Sequence, residues 1–310
     1  MESSKIQTVK TSAVQPFEVG RLVVGLSLDR TDVHLLQYLE FLASKVAVSR
    51  VAFLHVIPQF YVFQNQELLN REQEIKDAVE ERMEKLLEES MDLDQFDEIE
   101  LDIRHGDVLK EMITEIRSQQ TDLALIGQDA DTDVHGIKAK KLARRVACNA
   151  LVVPAKAKLK ISRIMVPIDF SEHAAQALRT ALAIQQNFGE SVEIVCVHVY
   201  EMPYFAGFNI GKTEAVFNRM VKADREEAFK AFLAANCPEG LTNVSAKLIE
   251  KGDPRIVDYL LKFTDDQAID FVVIGAKGHS TVDRLLMGSV TETFLVGNER
   301  MPVLIVRKNQ

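Results

Sequence analysis

The feature that most constrains this chain is an order of short motifs that occurs twice. Arg21-Leu-Val-Val recurs as Arg163-Ile-Met-Val, His55-Val56 as His198-Val199, and Gly106-Asp107 as Gly252-Asp253. The run from Asp122 to Ile126-Gly127 recurs as Asp270 to Ile274-Gly275. The spacing between partners drifts only from 142 (Arg21 to Arg163) to 148 (Asp122 to Asp270). Small insertions account for that drift, and an internal duplication is its simplest origin. A chain of 310 residues is also too long for one typical core and suits two domains of roughly 150 residues. The Lys-rich stretch Pro154 to Lys160 reads as a charged, solvated linker, which predicts domains over 1–157 and 158–310.

Within each copy, short apolar runs are bounded by polar residues or glycine: Leu22 to Leu26, Val51 to Val56, Leu123 to Ile126, Ala150 to Val153. Buried parallel strands have this appearance. Between them lie stretches with helical apolar spacing, such as Ala174, Leu178, Ala181, Leu182 and Ile184. Alternating strands and helices predict two tandem doubly wound α/β domains, each with a five-stranded parallel sheet and about four helices. Such a sheet opens its ligand crevice at the carboxyl ends of its strands.

Composition narrows the function classes. A net charge of −9 argues against nucleic acid or an anionic membrane as main partner, because both require a basic face. Cys148, Cys196 and Cys237 are an odd number and form no C-x-x-C pair, which suits a reducing compartment, so a cytoplasmic location is expected. No stretch approaches the ~18 apolar residues of a membrane helix, and Met1 to Gly20 reads as a short flexible lead-in.

The chemistry concentrates in the second copy. After Phe271-Val-Val-Ile274 comes Gly275-Ala-Lys-Gly278, nine further residues, and then Gly288-Ser289-Val290-Thr291. A phosphate needs several inward N–H groups with no Cβ in the way, and a helix N-terminus supplies donors and partial positive charge. Gly278 and Gly288 permit close approach, Ser289 and Thr291 add hydroxyls, and Lys277, His279 and Arg284 outweigh Asp283 in charge. Ser289-Val-Thr-Glu292 is also a capping box, and Asp169 before Ser171 also reads as a turn or capping carboxylate.

The G-x2-G-x9-G-S spacing after a strand resembles that of nucleotide-binding members of the universal stress protein family. Val166-Pro-Ile-Asp169-Phe-Ser-Glu resembles the family's opening segment and Val195-Cys-Val-His198-Val199 its second strand. The likeness spans the whole chain as a tandem pair and implies a Rossmann-like, adenine nucleotide α-hydrolase-like fold. By this resemblance Asp169 and Val199 hold adenosine, with Pro167 and Ile168 as the backbone edge beside the base. Gly275, Gly278, His279, Gly288, Ser289, Val290 and Thr291 hold the phosphates of ATP, ADP or AMP, with or without Mg2+. A sensor or regulator is implied, capable at most of slow hydrolysis, since no general base is visible. Family members dimerise through their last strands, here Ala150 to Val153 and Val303 to Val306, either between chains or between the two copies of one chain.

The first copy departs from this pattern. Ser27 stands in the place of Asp169 and Gly25 in that of Pro167. After Gly127 only eight residues precede Gly136, and Asp129, Asp131 and Asp133 fall between them. Like charges near a polyphosphate repel, at about 1 kcal/mol per pair at 4 Å even in bulk water. Weak or no nucleotide binding is therefore expected there. Val134 and Lys140 occupy positions where a calcium loop needs glycine and glutamate, so the Asp-x-Asp-x-Asp run reads as a solvated acidic loop.

Other motifs carry less. Ala206 to Thr213 misses the first glycine of a P-loop, and the aromatic runs Tyr204, Phe205, Phe208 and Phe60 to Phe63 read as lid or contact loops. No hydrolase elbow or zinc ligand pair is present, and His55 and His198 read as satisfied core histidines. Gly252-Asp253-Pro254 reads as a capped helix start. The competing reading is a nucleotide-independent interaction scaffold with the first copy as partner-binding half.

Overall fold

The computed structural model describes residues 14–58, 66–128, 133–202, 212–238, 243–252, 255–278 and 287–307, with backbone alone at 66–70, 72, 133–138 and 212–214. The two aromatic runs, Asp129 and Asp131, Asp253-Pro254, and His279 to Arg284 lie outside the described residues.

The first copy comprises β1 (Glu18–Leu26), α1 (Thr31–Ala43), β2 (Ala47–Pro58), α2 (Gln66–Ser90), β3 (Glu98–Gly106), α3 (Val108–Ser118), β4 (Leu123–Gln128), α4 (Asp133–Arg145) and β5 (Asn149–Pro154). The second comprises β6 (Arg163–Pro167), α5 (Glu172–Phe188), β7 (Glu193–Glu201), α6 (Lys212–Asn236), β8 (Val244–Lys251), α7 (Ile256–Asp266), β9 (Phe271–Gly275), α8 (Ser289–Gly297) and β10 (Val303–Val306).

All ten strands form one sheet in the order β3-β2-β1-β4-β5-β10-β9-β6-β7-β8. Pairing within each half is parallel, as expected for strand–helix–strand units. Only β5 and β10 run antiparallel, with Val303 opposite Val152 and Ile305 opposite Ala150. Each copy thus covers the sheet edge that its partner would otherwise expose.

Successive strand residues feed opposite faces of the sheet: Leu22 and Val24 enter one core layer, Val23 the other. Both layers run through the two copies without a break, the first from Leu125 and Leu151 to Leu304 and Phe271. Polar bonds pin the seam. The buried Arg307 guanidinium donates to the carbonyls of Ala143 (2.9 Å) and Arg144 (3.1 Å), and its backbone N–H to Asn149 Oδ1. Gln128 Nε2 donates to Asn298 O at 3.1 Å, and Arg144 pairs with Glu292 at 3.1 Å.

Two expectations change here. The Lys-rich linker is anchored rather than solvated throughout: Ala157 and Ile161 are buried, and Lys160 pairs with Asp270 at 3.6 Å. The end of the lead-in is also held, because Phe17 N–H donates to Asn187 Oδ1 at 2.8 Å and Asn187 Nδ2 returns a bond to Phe17 O.

Candidate functional site

The strand order reverses between β6 and β9, and there the carboxyl ends of β6, β7 and β9 open a cavity of about 290 Å³. Strand β6 ends at Pro167, which has no N–H to continue the ladder. Ile168 N–H donates to Val197 O at 2.8 Å, and His198 Nδ1–H donates to Ile168 O at 2.7 Å. The accepting carbonyl fixes the proton on Nδ1. Burial lowers the His198 pKa, so the ring is neutral near pH 7.

The chain then turns through Phe170, whose φ of 64° is left-handed, and Ser171 caps α5 by accepting from Ala174 N–H at 3.2 Å. Asp169 serves this turn with one oxygen, since Oδ1 accepts from Ser171 N–H at 3.0 Å. Its other oxygen, Oδ2, lies where a Cβ on Gly278 would stand. The turn role of Asp169 thus uses Oδ1, while Oδ2 lies against Gly278.

The three loop glycines have different reasons. A Cβ at Gly275 would lie 2.9 Å from the backbone C and O of His173, so this glycine lets α5 pack on β9. Gly278 makes room for Asp169. Gly288 has ordinary dihedrals (φ −67°, ψ 149°), and a Cβ there would meet its nearest protein atoms only at 3.5 Å or beyond. Among the described residues neither packing nor backbone requires it, and it fronts the cavity.

Gly288 is the N-cap of α8, with no side-chain capping bond, so Ser289 is the first helical residue and the expected capping box is not formed. The N–H groups of Ser289, Val290 and Thr291 precede the first intrahelical bond, from Glu292 N–H to Gly288 O. They carry the positive end of the helix, about half an elementary charge. Thr291 differs from expectation. Its hydroxyl donates to Gly275 O at 2.9 Å and is buried, so it ties α8 to the end of β9 and offers a ligand only its backbone.

Ten of the eleven expected residues line this cavity: Pro167, Ile168, Asp169, Val199, Gly275, Gly278, Gly288, Ser289, Val290 and Thr291. His279 lies outside the described residues. The apolar wall from α7, Ile256 and Leu260, was missed, although these residues stand one helical turn apart just after the recurring Gly252-Asp253 motif. Helix α7 itself begins at Ile256 with Arg255 as N-cap, later than the Gly252-Asp253-Pro254 reading placed it.

The first copy holds a matching cavity of about 230 Å³ between the ends of β1, β2 and β4. His55 Nδ1–H donates to Leu26 O at 2.9 Å, as His198 does to Ile168 O, which equates Leu26 with Ile168 and Ser27 with Asp169. Helix α4 begins at Asp133, so Gly136 lies inside a helix and not at its N-terminus. The flank of that helix, Ala139 and Leu142, lines the cavity instead. Ser27 thus stands in the place of Asp169, as expected, but the first copy has a carboxylate at another position. Asp32, six residues beyond Leu26 as Ala174 is beyond Ile168, lines this cavity.

Among the described residues no three His, Cys, Asp or Glu side chains group as a metal site, and no helix is long and apolar enough to cross a membrane.

The Universal stress protein family model matches residues 160–307. Two universal stress proteins of Methanocaldococcus jannaschii are similar: one is 25% identical over 146 residues, 47% of this chain and 82% of the relative. The other is 27% identical over 157 residues, 47% of this chain and 94% of the relative. The crystal structure of a universal stress protein from Archaeoglobus fulgidus DSM 4304 superposes on 94% of this chain and 97% of its own, with a TM-score of 0.61 at 15% identity, a likeness of fold. Residues 160–307 match a universal stress protein domain, and the first copy repeats the same fold in a chain about twice the length of one such domain.

Proposed function

We propose that the cavity of the second copy, within a domain spanning 158–310, binds an adenine nucleotide and that the chain acts as a nucleotide-responsive regulator in the cytoplasm. The observation that carries this reading is Gly288. It is a glycine that neither its backbone nor its described neighbours require, set before three helix N–H groups that precede the first intrahelical bond and across a cavity from a carboxylate.

The N–H groups of Ser289, Val290 and Thr291 would take phosphate oxygens. Lys277, which also lines the cavity, adds positive charge. Asp169 accepts hydroxyl donors of a ribose, and the apolar walls from Val199, Ile256 and Leu260 enclose a base beside the Pro167–Ile168 edge. The chain's own residues bind and orient. None of the described groups is placed as a general base for hydrolysis, and Mg2+ would be a companion of the phosphates.

Isothermal titration of the full chain with ATP, ADP and AMP tests this. One micromolar site per chain is expected, ranked by phosphate number. No binding of any of the three at micromolar concentration overturns it and leaves the scaffold reading.

A further inference from the structure

We propose that the cavity of the first copy is a second ligand site, built for a small organic cation with an apolar body whose ammonium pairs with Asp32. This inference stands apart from the nucleotide reading of the second copy.

The cavity is close in size to its counterpart, about 230 against 290 Å³, but its walls have changed character. Helix α4 begins at Asp133, the turn preceding Gly136 is helical, and the described residues that α4 presents to the cavity are Ala139 and Leu142. Among the described residues that line it, which include Leu54, Val56, Val108, Leu109, Met112 and Ile126, there is no lysine or arginine. Among these described residues a phosphate would find no countercharge, and only the hydroxyls of Ser27 and Thr31 as side-chain hydroxyl donors.

What the cavity offers is acceptors. Asp32 is 3% exposed, and its Oδ2 accepts from Leu28 N–H at 2.6 Å. Its described hydrogen-bond partners are the backbone N–H groups of Ser27, Leu28 and Asp29, none of them a cation, and Arg82 donates instead to Leu28 O at 2.7 Å. Burial, opposed by the backbone N–H groups of Ser27, Leu28 and Asp29, pushes the Asp32 carboxyl up to about 6, so at neutral pH it is still mostly ionised, with no cation among the described residues that line the cavity. His55 spends its Nδ1–H on Leu26 O and keeps Nε2 as an acceptor. Buried charges are normally paired, and in such surroundings an incoming ammonium meets little screening. An aliphatic or aromatic body on that ammonium would match the remaining walls.

Asp32 also has a local duty, since its bond to Leu28 N–H supports a left-handed residue, φ 58°. Asp32→Asn separates the two roles, because an amide oxygen can still accept from Leu28 N–H while the charge is removed.

The chain has no tryptophan, so indole probes are read by their own fluorescence. The full chain would be titrated with tryptamine and with tryptophol, its uncharged hydroxyl counterpart. The expected result is at least tenfold tighter binding of tryptamine, a preference lost in Asp32→Asn and kept in Gly288→Asp. Ser27→Lys, which tethers an ammonium beside Asp32, should also abolish tryptamine binding if Asp32→Asn folds poorly. Equal binding of the two probes, no binding of tryptamine at millimolar concentration, a preference that survives Asp32→Asn in a folded protein, or loss of tryptamine binding in Gly288→Asp would overturn the proposal.

Discussion

The two cavities occupy the same place in two copies of one fold, yet they differ in which element faces the ligand. In the second copy α8 points its N-terminus at the opening, with Gly288 clearing the approach. In the first, α4 begins earlier and turns its side to the same space. The carboxylates have moved as well, from Asp169 on the strand-end turn to Asp32 in the first turn of α1. The length of one loop therefore decides whether a backbone positive end or an apolar helix flank meets the ligand. In the proposed reading, anion binding follows from how a helix is aimed and not from the fold.

The largest effect that would break this comparison is expected at Gly288. Gly288→Asp places a carboxylate before the N–H groups of Ser289, Val290 and Thr291, repelling phosphate and blocking its approach. ATP affinity should fall by at least 100-fold, about 2.7 kcal/mol, with the melting temperature nearly unchanged. Titration and thermal melts on the same preparation separate the two. A variant that melts early while binding normally would assign Gly288 to the fold instead.

A second prediction concerns stability and uses paired glycines. A methyl at Gly275 would sit 2.9 Å from the His173 backbone, which cannot move aside without displacing α5 from β9. At Gly127, the counterpart, it would lie 3.4 Å from Leu35 Cδ2, a terminal methyl able to shift. Gly275→Ala should cost roughly 2–3 kcal/mol in urea unfolding and Gly127→Ala under about 1. Equal losses would mean that the two copies pack alike at this contact.

Much of this was legible in the sequence for physical reasons. Parallel strands buried on both faces must be apolar runs, and their recurrence exposed both copies. The join between copies was not decided, because Ala150–Val153 and Val303–Val306 would pair equally well within or between chains. Nor was the placement of Asp169 Oδ2 beside Gly278, which depends on how two loops from distant parts of the chain close. Asp32 does not show in a comparison of the copies at the position of Asp169, where Ser27 stands. Yet it precedes Leu35, Leu36 and Leu39 by three, four and seven residues, so helical periodicity already placed it on the buried face of α1. The hydroxyl of Thr291 read as a ligand donor because spacing locates a side chain but not its nearest acceptor.

The smallest predicted effect tests whether Asp32 is kept against the interest of stability. Its carboxyl titrates at about 6 in the folded protein, chiefly through burial, against an ordinary value of about 3.9 in an unfolded chain. A carboxyl raised on folding makes the native state hold its proton longer. Its favourable contribution is therefore complete below about pH 4, declines as pH rises through about 6, and is gone above that. The full difference corresponds to roughly 2–3 kcal/mol. Asp32→Asn carries no charge to desolvate but gives Leu28 N–H a weaker acceptor, so a net gain of about 1–2 kcal/mol is expected at pH 7.5. Urea midpoints should show this advantage shrinking to nothing by pH 4.5. A variant less stable at both values would mean that the carboxylate serves the Leu28 turn alone. The expected outcome is instead a charge held at a cost to folding, which a decayed copy of the nucleotide site would have no reason to retain.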